Sequence, residues 1–60
     1  MFTITIETGN AAFEYAEYEL ARILRKYADE IENGSHINRP LFDINGNKVG
    51  AAAWDDSENN

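Results

Sequence analysis

Residues 10–34, NAAFEYAEYELARILRKYADEIENG, decide the fold of this chain. Within them Phe13, Ala16, Leu20, Ile23, Leu24, Tyr27 and Ile31 recur every three or four positions. At about 100° per residue they fall within about ±60° of Leu20, one stripe facing a core. Asn10 suits the start, because its side-chain oxygen can accept an N–H that the first turn leaves unpaired. Gly34 suits the end, being free to adopt φ > 0. A helix of about 22 residues, ~33 Å long, is expected.

The flanks read as strands. Before the helix, Phe2, Ile4 and Ile6 alternate with Thr3, Thr5 and Glu7, a period-2 pattern with one buried face. After it, residues 34–40 form a connecting loop, and Pro40 suits the start of a strand that lacks a donor there. Leu41-Phe42-Asp43-Ile44 and Asn47-Lys48-Val49 then flank Asn45-Gly46, a strong short hairpin signal for a type I′ turn. A two-residue turn sets Phe42 opposite Val49 and Asp43 opposite Lys48. It also sends Phe42, Ile44, Val49, Ala51 and Ala53 to the core, with Trp54 on the other face. The sum is an α+β domain of order β-α-β-β, a three-stranded sheet with one long helix on one face. Whether the first strand pairs with the second or the third is open. Residues 1–54 form a single domain in this reading, and residues 55–60 an acidic, flexible tail.

Composition bounds the function. The 60 residues carry 11 Asp+Glu against 5 Lys+Arg, a formal charge of -6, with no Cys. A chain this short buries only about 60% of its unfolded surface, so it is marginally stable. It has no disulfide or Cys-based zinc site to help it. The acidic balance argues against direct nucleic-acid binding, which relies on Lys and Arg. No apolar run approaches the ~18 residues of a membrane span, and Met1-Phe2-Thr3-Ile4 lacks the basic start of a signal peptide. A cytoplasmic protein without membrane contact is expected.

Catalysis has little to stand on. Ser35-His36 is a neighbour pair in a loop, without the geometry that activates a nucleophile. Asp43-Ile44-Asn45-Gly46-Asn47 opens like a calcium loop. Lys48 and Trp54 then occupy the positions of its glycine and bidentate Glu, and a tight turn explains the same residues. No enzyme, metal or cofactor is expected.

Charge and exposed aromatics are the informative features. Glu14, Glu17 and Glu19 lie near the helix start, where the dipole favours them. Asp29, Glu30 and Glu32 lie near its end, where it does not. Arg22, Arg25 and Lys26 sit between, and the Arg25–Asp29 and Lys26–Glu30 spacings allow i,i+4 pairs. The acid is either a solvated face or an imitation of phosphate, with Glu17 and Asp29 ~18 Å apart along the axis. Tyr15 and Tyr18 project about 140–160° from the apolar stripe, as interface anchors or as rings lying over Glu19 and Arg22.

Three segments carry a resemblance: Thr5-Ile6-Glu7-Thr8-Gly9-Asn10-Ala11-Ala12-Phe13, Glu19-Leu20-Ala21-Arg22-Ile23-Leu24-Arg25 and Asp43-Ile44-Asn45-Gly46-Asn47-Lys48-Val49-Gly50. Together, over residues 2–50, the chain resembles a family of very short acidic proteins encoded by bacteriophages and mobile elements. Small acidic phage proteins include anti-CRISPR proteins, some of which imitate DNA and block target recognition by Cascade-type complexes. By that analogy the resemblance implies a phage-encoded inhibitor of a host defence system, acting in the bacterial cytoplasm. It would block target-DNA (PAM) recognition by a Cas or other basic, nucleic-acid-binding subunit. The residues expected at that interface are Glu14, Glu17, Asp29, Glu30, Glu32 and Asp43, with Tyr15 and Tyr18 as anchors. The alternative is a small accessory interaction module, a monomer or weak homodimer, that uses Tyr15, Tyr18 and Trp54 and is acidic only for solubility.

Overall fold

The computed structural model describes residues 1–55. Strand β1 (Phe2–Ile6) leads through a 3-10 turn (Ala11–Phe13) into helix α1 (Ala16–Glu32). Strands β2 (Arg39–Phe42) and β3 (Lys48–Trp54) follow. The α+β class and the β-α-β-β order are as expected. The strand order left open by the sequence is β1-β3-β2, both pairings antiparallel, so the last strand lies in the centre.

Inner positions of β1 follow the alternation: Ile4 and Ile6 pack against a core of Phe13, Ile23, Tyr27, Leu41, Val49 and Ala52. Phe2 stacks on Tyr27, ring centroids 6.1 Å apart. Phe2 also sits opposite Trp54, so Trp54 lies on the helix side of the sheet rather than on the outer face. Gly50 meets β1 too closely for any side chain, since a Cβ there would stand 1.8 Å from the Thr5 carbonyl oxygen.

The hairpin departs from expectation by one residue. Only Gly46 has positive φ (83°), so the turn is not type I′, which needs two such residues. Instead Gly46 N–H donates to the Asp43 carbonyl (3.0 Å) and Asp43 N–H to the Asn47 carbonyl (2.9 Å). The loop is thus Ile44-Asn45-Gly46, one residue longer than a two-residue turn. A one-residue change reverses the faces of a strand. Leu41 and Asp43 therefore point inward, and Phe42 and Ile44 are exposed. A bulge follows: Leu41 pairs with Gly50 but Phe42 with Lys48, leaving Val49 as the inserted residue. Val49 and Ala52 both reach the core as a result, while Ala51 and Ala53 face outward. The expected Asp43–Lys48 cross-strand pair does not form, because Lys48 stands opposite Phe42.

The helix is also shorter and rotated. Asn10 caps only the 3-10 turn, its Oδ1 accepting from Ala12 N–H at 2.8 Å. The backbone leaves the helical region at Tyr15 (φ -115°, ψ 78°). The 3-10 turn is fixed to the hairpin through Asn10, whose Nδ2 donates to Asp43 Oδ2 (2.9 Å). Helix α1 is fixed to the sheet through Ile23 and Tyr27, and the direction changes between these anchors. The buried positions Glu19, Ile23 and Tyr27 centre about 60° from Leu20, so Leu24 falls outside the contact and is exposed. At the other end Gly34 has φ 91°, with Gly34 N–H on the Ile31 carbonyl (3.1 Å) and Ser35 N–H on the Glu30 carbonyl (2.9 Å). This is a Schellman ending at the expected glycine.

The expected 55–60 tail is described only at Asp55, which is tied back by its N–H donating to the Met1 carbonyl at 2.8 Å. The rest of that segment lies outside the described residues.

Candidate protein-binding surface

Local structure sorts the carboxylates into those that hold the fold together and those that face outward. Glu19 is 6% exposed. Arg22 grips it with two parallel hydrogen bonds, Nε to Oε1 at 2.8 Å and Nη2 to Oε2 at 2.9 Å. Oε2 also accepts the Ile44 N–H at 2.8 Å, which ties the first turns of α1 to the hairpin loop. The Arg22 hydrogen bond holds the Glu19 carboxyl below its ordinary value despite burial. The same contact raises the Arg22 guanidinium.

Asp43, expected on the hairpin edge among the surface acids, is only 4% exposed. Its Oδ1 accepts N–H bonds from Asn45 and Asn47, both 2.9 Å. Its Oδ2 accepts from the side chains of Asn10 (2.9 Å) and Asn47 (3.2 Å). These donors, led by the Asn47 backbone, keep its carboxyl below the ordinary aspartate value. The Asp-x-Asn-x-Asn spacing is thus filled by the loop's own amides. Asp43 has no oxygen left to offer a partner without opening the loop.

Glu30, also expected at the interface, is half-buried and pairs with Arg39 of β2 at 2.7 Å instead of Lys26. His36 is exposed, and its Nδ1 accepts the Asn38 N–H at 3.0 Å. Among the described residues no group of three His, Cys, Asp or Glu is placed to hold a metal ion. No helix among them is long and apolar enough to cross a membrane.

Four of the expected acids remain outside. Glu14, Glu17, Asp29 and Glu32 are exposed, and no ion pair among the described residues engages them. They form two groups: Glu14 and Glu17 at the start of α1, Asp29 and Glu32 at its end, with exposed Arg25 and Lys26 between. The last turn of α1 holds no basic residue to offset Asp29 and Glu32.

Tyr15 (64% exposed) and Tyr18 (73%) project outward as expected. The longer hairpin loop adds Ile44 (66%), which a two-residue turn would send to the core. These three, with Glu14, Glu19 and Arg22, line a shallow hollow beside the start of α1. Trp54 lies elsewhere, against Phe2 and the loop residue Asn38, which accepts its backbone N–H. Tyr15, Tyr18 and Trp54 therefore do not share one surface. Sequence reasoning missed Arg22, Asn10 and Ile44 as a connected set. The Glu19–Arg22 i,i+3 spacing was the one visible signal. Comparison with protein-family models, curated proteins and solved structures yields no match to this chain.

Proposed function

We propose that this protein is an inhibitor that occupies the nucleic-acid groove of a basic protein, using the outer face of α1. In this reading it is phage-encoded and acts in the bacterial cytoplasm on a defence subunit, a Cas protein being the leading target. It works by stoichiometric exclusion of target DNA rather than by catalysis. The observation that carries the reading is the placement of Asp29 and Glu32. Both sit at the negative end of the helix dipole, which costs about 0.3–1 kcal/mol each, and neither is offset by an internal ion pair. Carboxylates kept where they weaken a marginal fold are accounted for by a partner that uses them. Glu17 lies ~18 Å from Asp29 along the axis, a span suited to several phosphate positions on a groove. Arg25 and Lys26 interrupt this face, so the contact is in two acidic patches.

The test is binding of the tagged protein to host nucleic-acid-binding proteins at low and high salt, with duplex DNA as competitor. Mimicry requires binding that salt and DNA both abolish, and that Asp29→Lys/Glu32→Lys also abolishes. Binding that survives the double charge reversal rejects it. A second reading, an interaction module without mimicry, draws on the exposed Tyr15, Tyr18 and Ile44. It requires salt-resistant binding that is lost on substitution of these three.

A further inference from the structure

The hollow beside the start of α1 combines two rings, an aliphatic wall and an acid at its rim. Tyr15 and Tyr18 stand on one side of it and Ile44 on the hairpin side, all more than half exposed. Large apolar groups displayed to water in a chain this small point to a contact surface. The electrostatics of the hollow select its occupant. Arg22 lines it, but its charge is cancelled by the bidentate bonds to Glu19. The positive end of the helix dipole is offset by Glu17 in the first turn. Glu14 is the charge left over, exposed and outside every ion pair among the described residues. The hollow is thus an aromatic, net acidic surface on a protein of charge -6.

We infer that this hollow receives an arginine side chain from a basic segment of the partner protein. The guanidinium lies over the face of Tyr15 or Tyr18 while Glu14 accepts its N–H groups. Ile44 covers the aliphatic stem. Arginine suits the site better than lysine because its flat, weakly hydrated head stacks on a ring and donates to a carboxylate at once. The inference rests on the proposed basic partner and adds a second contact, at the end of α1 opposite Asp29 and Glu32.

The test is an NMR titration of the isotope-labelled full chain with two peptides of equal length and charge, an Arg-Gly repeat and a Lys-Gly repeat. The Arg peptide should bind more tightly and shift the amides of Tyr15, Tyr18 and Ile44. Tyr15→Ser and Tyr18→Ser should each weaken it by about two- to fivefold, while Tyr15→Phe and Tyr18→Phe retain it. Both tyrosines are exposed, and the amide spectrum verifies that each variant is folded. Equal affinity for the two peptides, a preference that survives in Tyr15→Ser/Tyr18→Ser, shifts confined to residues 25–32, or no binding of either peptide would each overturn the site. Failure of the mimicry reading is separately visible, as natural-partner binding that persists in Asp29→Lys/Glu32→Lys.

Discussion

Replacing Glu19 should cost this domain much of its stability. Glu19→Ala removes the acceptor of the Ile44 N–H and the carboxylate that holds Arg22. The loop N–H that loses its partner costs about 1 kcal/mol, because Ile44 is exposed and water can replace the carboxylate there. The ion pair adds only up to about 1 kcal/mol, because the Arg22 side chain is a third exposed and rehydrates. The sum is about 2 kcal/mol. Stability of about 0.05–0.15 kcal/mol per residue gives a chain of this length about 3–9 kcal/mol in all. The melting temperature should therefore fall by about 8–16 °C in a thermal scan followed by circular dichroism. Glu19→Gln keeps a neutral acceptor and should lose about 1 kcal/mol. The pH dependence gives the sign. The Glu19 carboxyl is lower in the folded state than in the unfolded chain, so the unfolded state binds more protons in acid. Its contribution is complete above the ordinary glutamate value of about 4.3 and is lost as pH falls through the lower folded value. The gap between wild type and Glu19→Gln should hold from pH 7 to about pH 4.3 and narrow in more acidic solution. A Glu19→Ala melt within about 3 °C of wild type at pH 7 would refute the tie between helix and hairpin.

Three further outcomes follow from the same contacts. Glu32→Lys should raise the melting temperature by about 2–4 °C, from about 0.5 kcal/mol gained against the helix dipole, while weakening partner binding; a lower melt contradicts the placement of Glu32. Gly50→Ala should abolish cooperative unfolding, because its Cβ would stand 1.8 Å from the Thr5 carbonyl oxygen; a wild-type denaturation curve would rule out that close approach. Asn10→Ala should cost about 1 kcal/mol through the lost cap, and it should speed hydrogen exchange at the Asn45 and Asn47 amides, which depend on Asp43; unchanged exchange there would mean that Asn10 does not hold the loop.

Features set by neighbours in sequence were legible in advance. The alternation of Phe2, Ile4 and Ile6, the helical recurrence through Ile31 and the stop at Gly34 all rest on local geometry. The exposure of Tyr18, Asp29 and Glu32 follows from the same helical projection, whereas Glu14 and Tyr15 lie before α1. The hairpin register was not legible, because it turns on one side chain. Asp43 caps the loop's own amides, lengthens the turn by a residue and so reverses Phe42 and Ile44. The Val49 bulge and the burial of Glu19 answer to groups far away in sequence, Leu41 and Ile44 respectively. The strand order carries no local mark at all. The partner surface divides along the same line: acids on the free helix face were legible, whereas those recruited by the hairpin or by β2 were not.

The central place of β3 bears on how this chain is synthesised. Every strand pairing in the sheet requires residues 48–54, and Phe2 waits for Trp54. A nascent chain that has reached Asn47 has a helix and two unmated strands, but no hydrogen-bonded ladder between them. The β2–β3 ladder then forms locally across its three-residue loop, whereas the β1–β3 ladder must close the whole helix-bearing segment between Ile6 and Gly50, and that long-range closure slows folding. A fragment cut before Lys48 should behave as a fluctuating helix with two sticky strands attached, a target for proteases and chaperones rather than a smaller version of the domain.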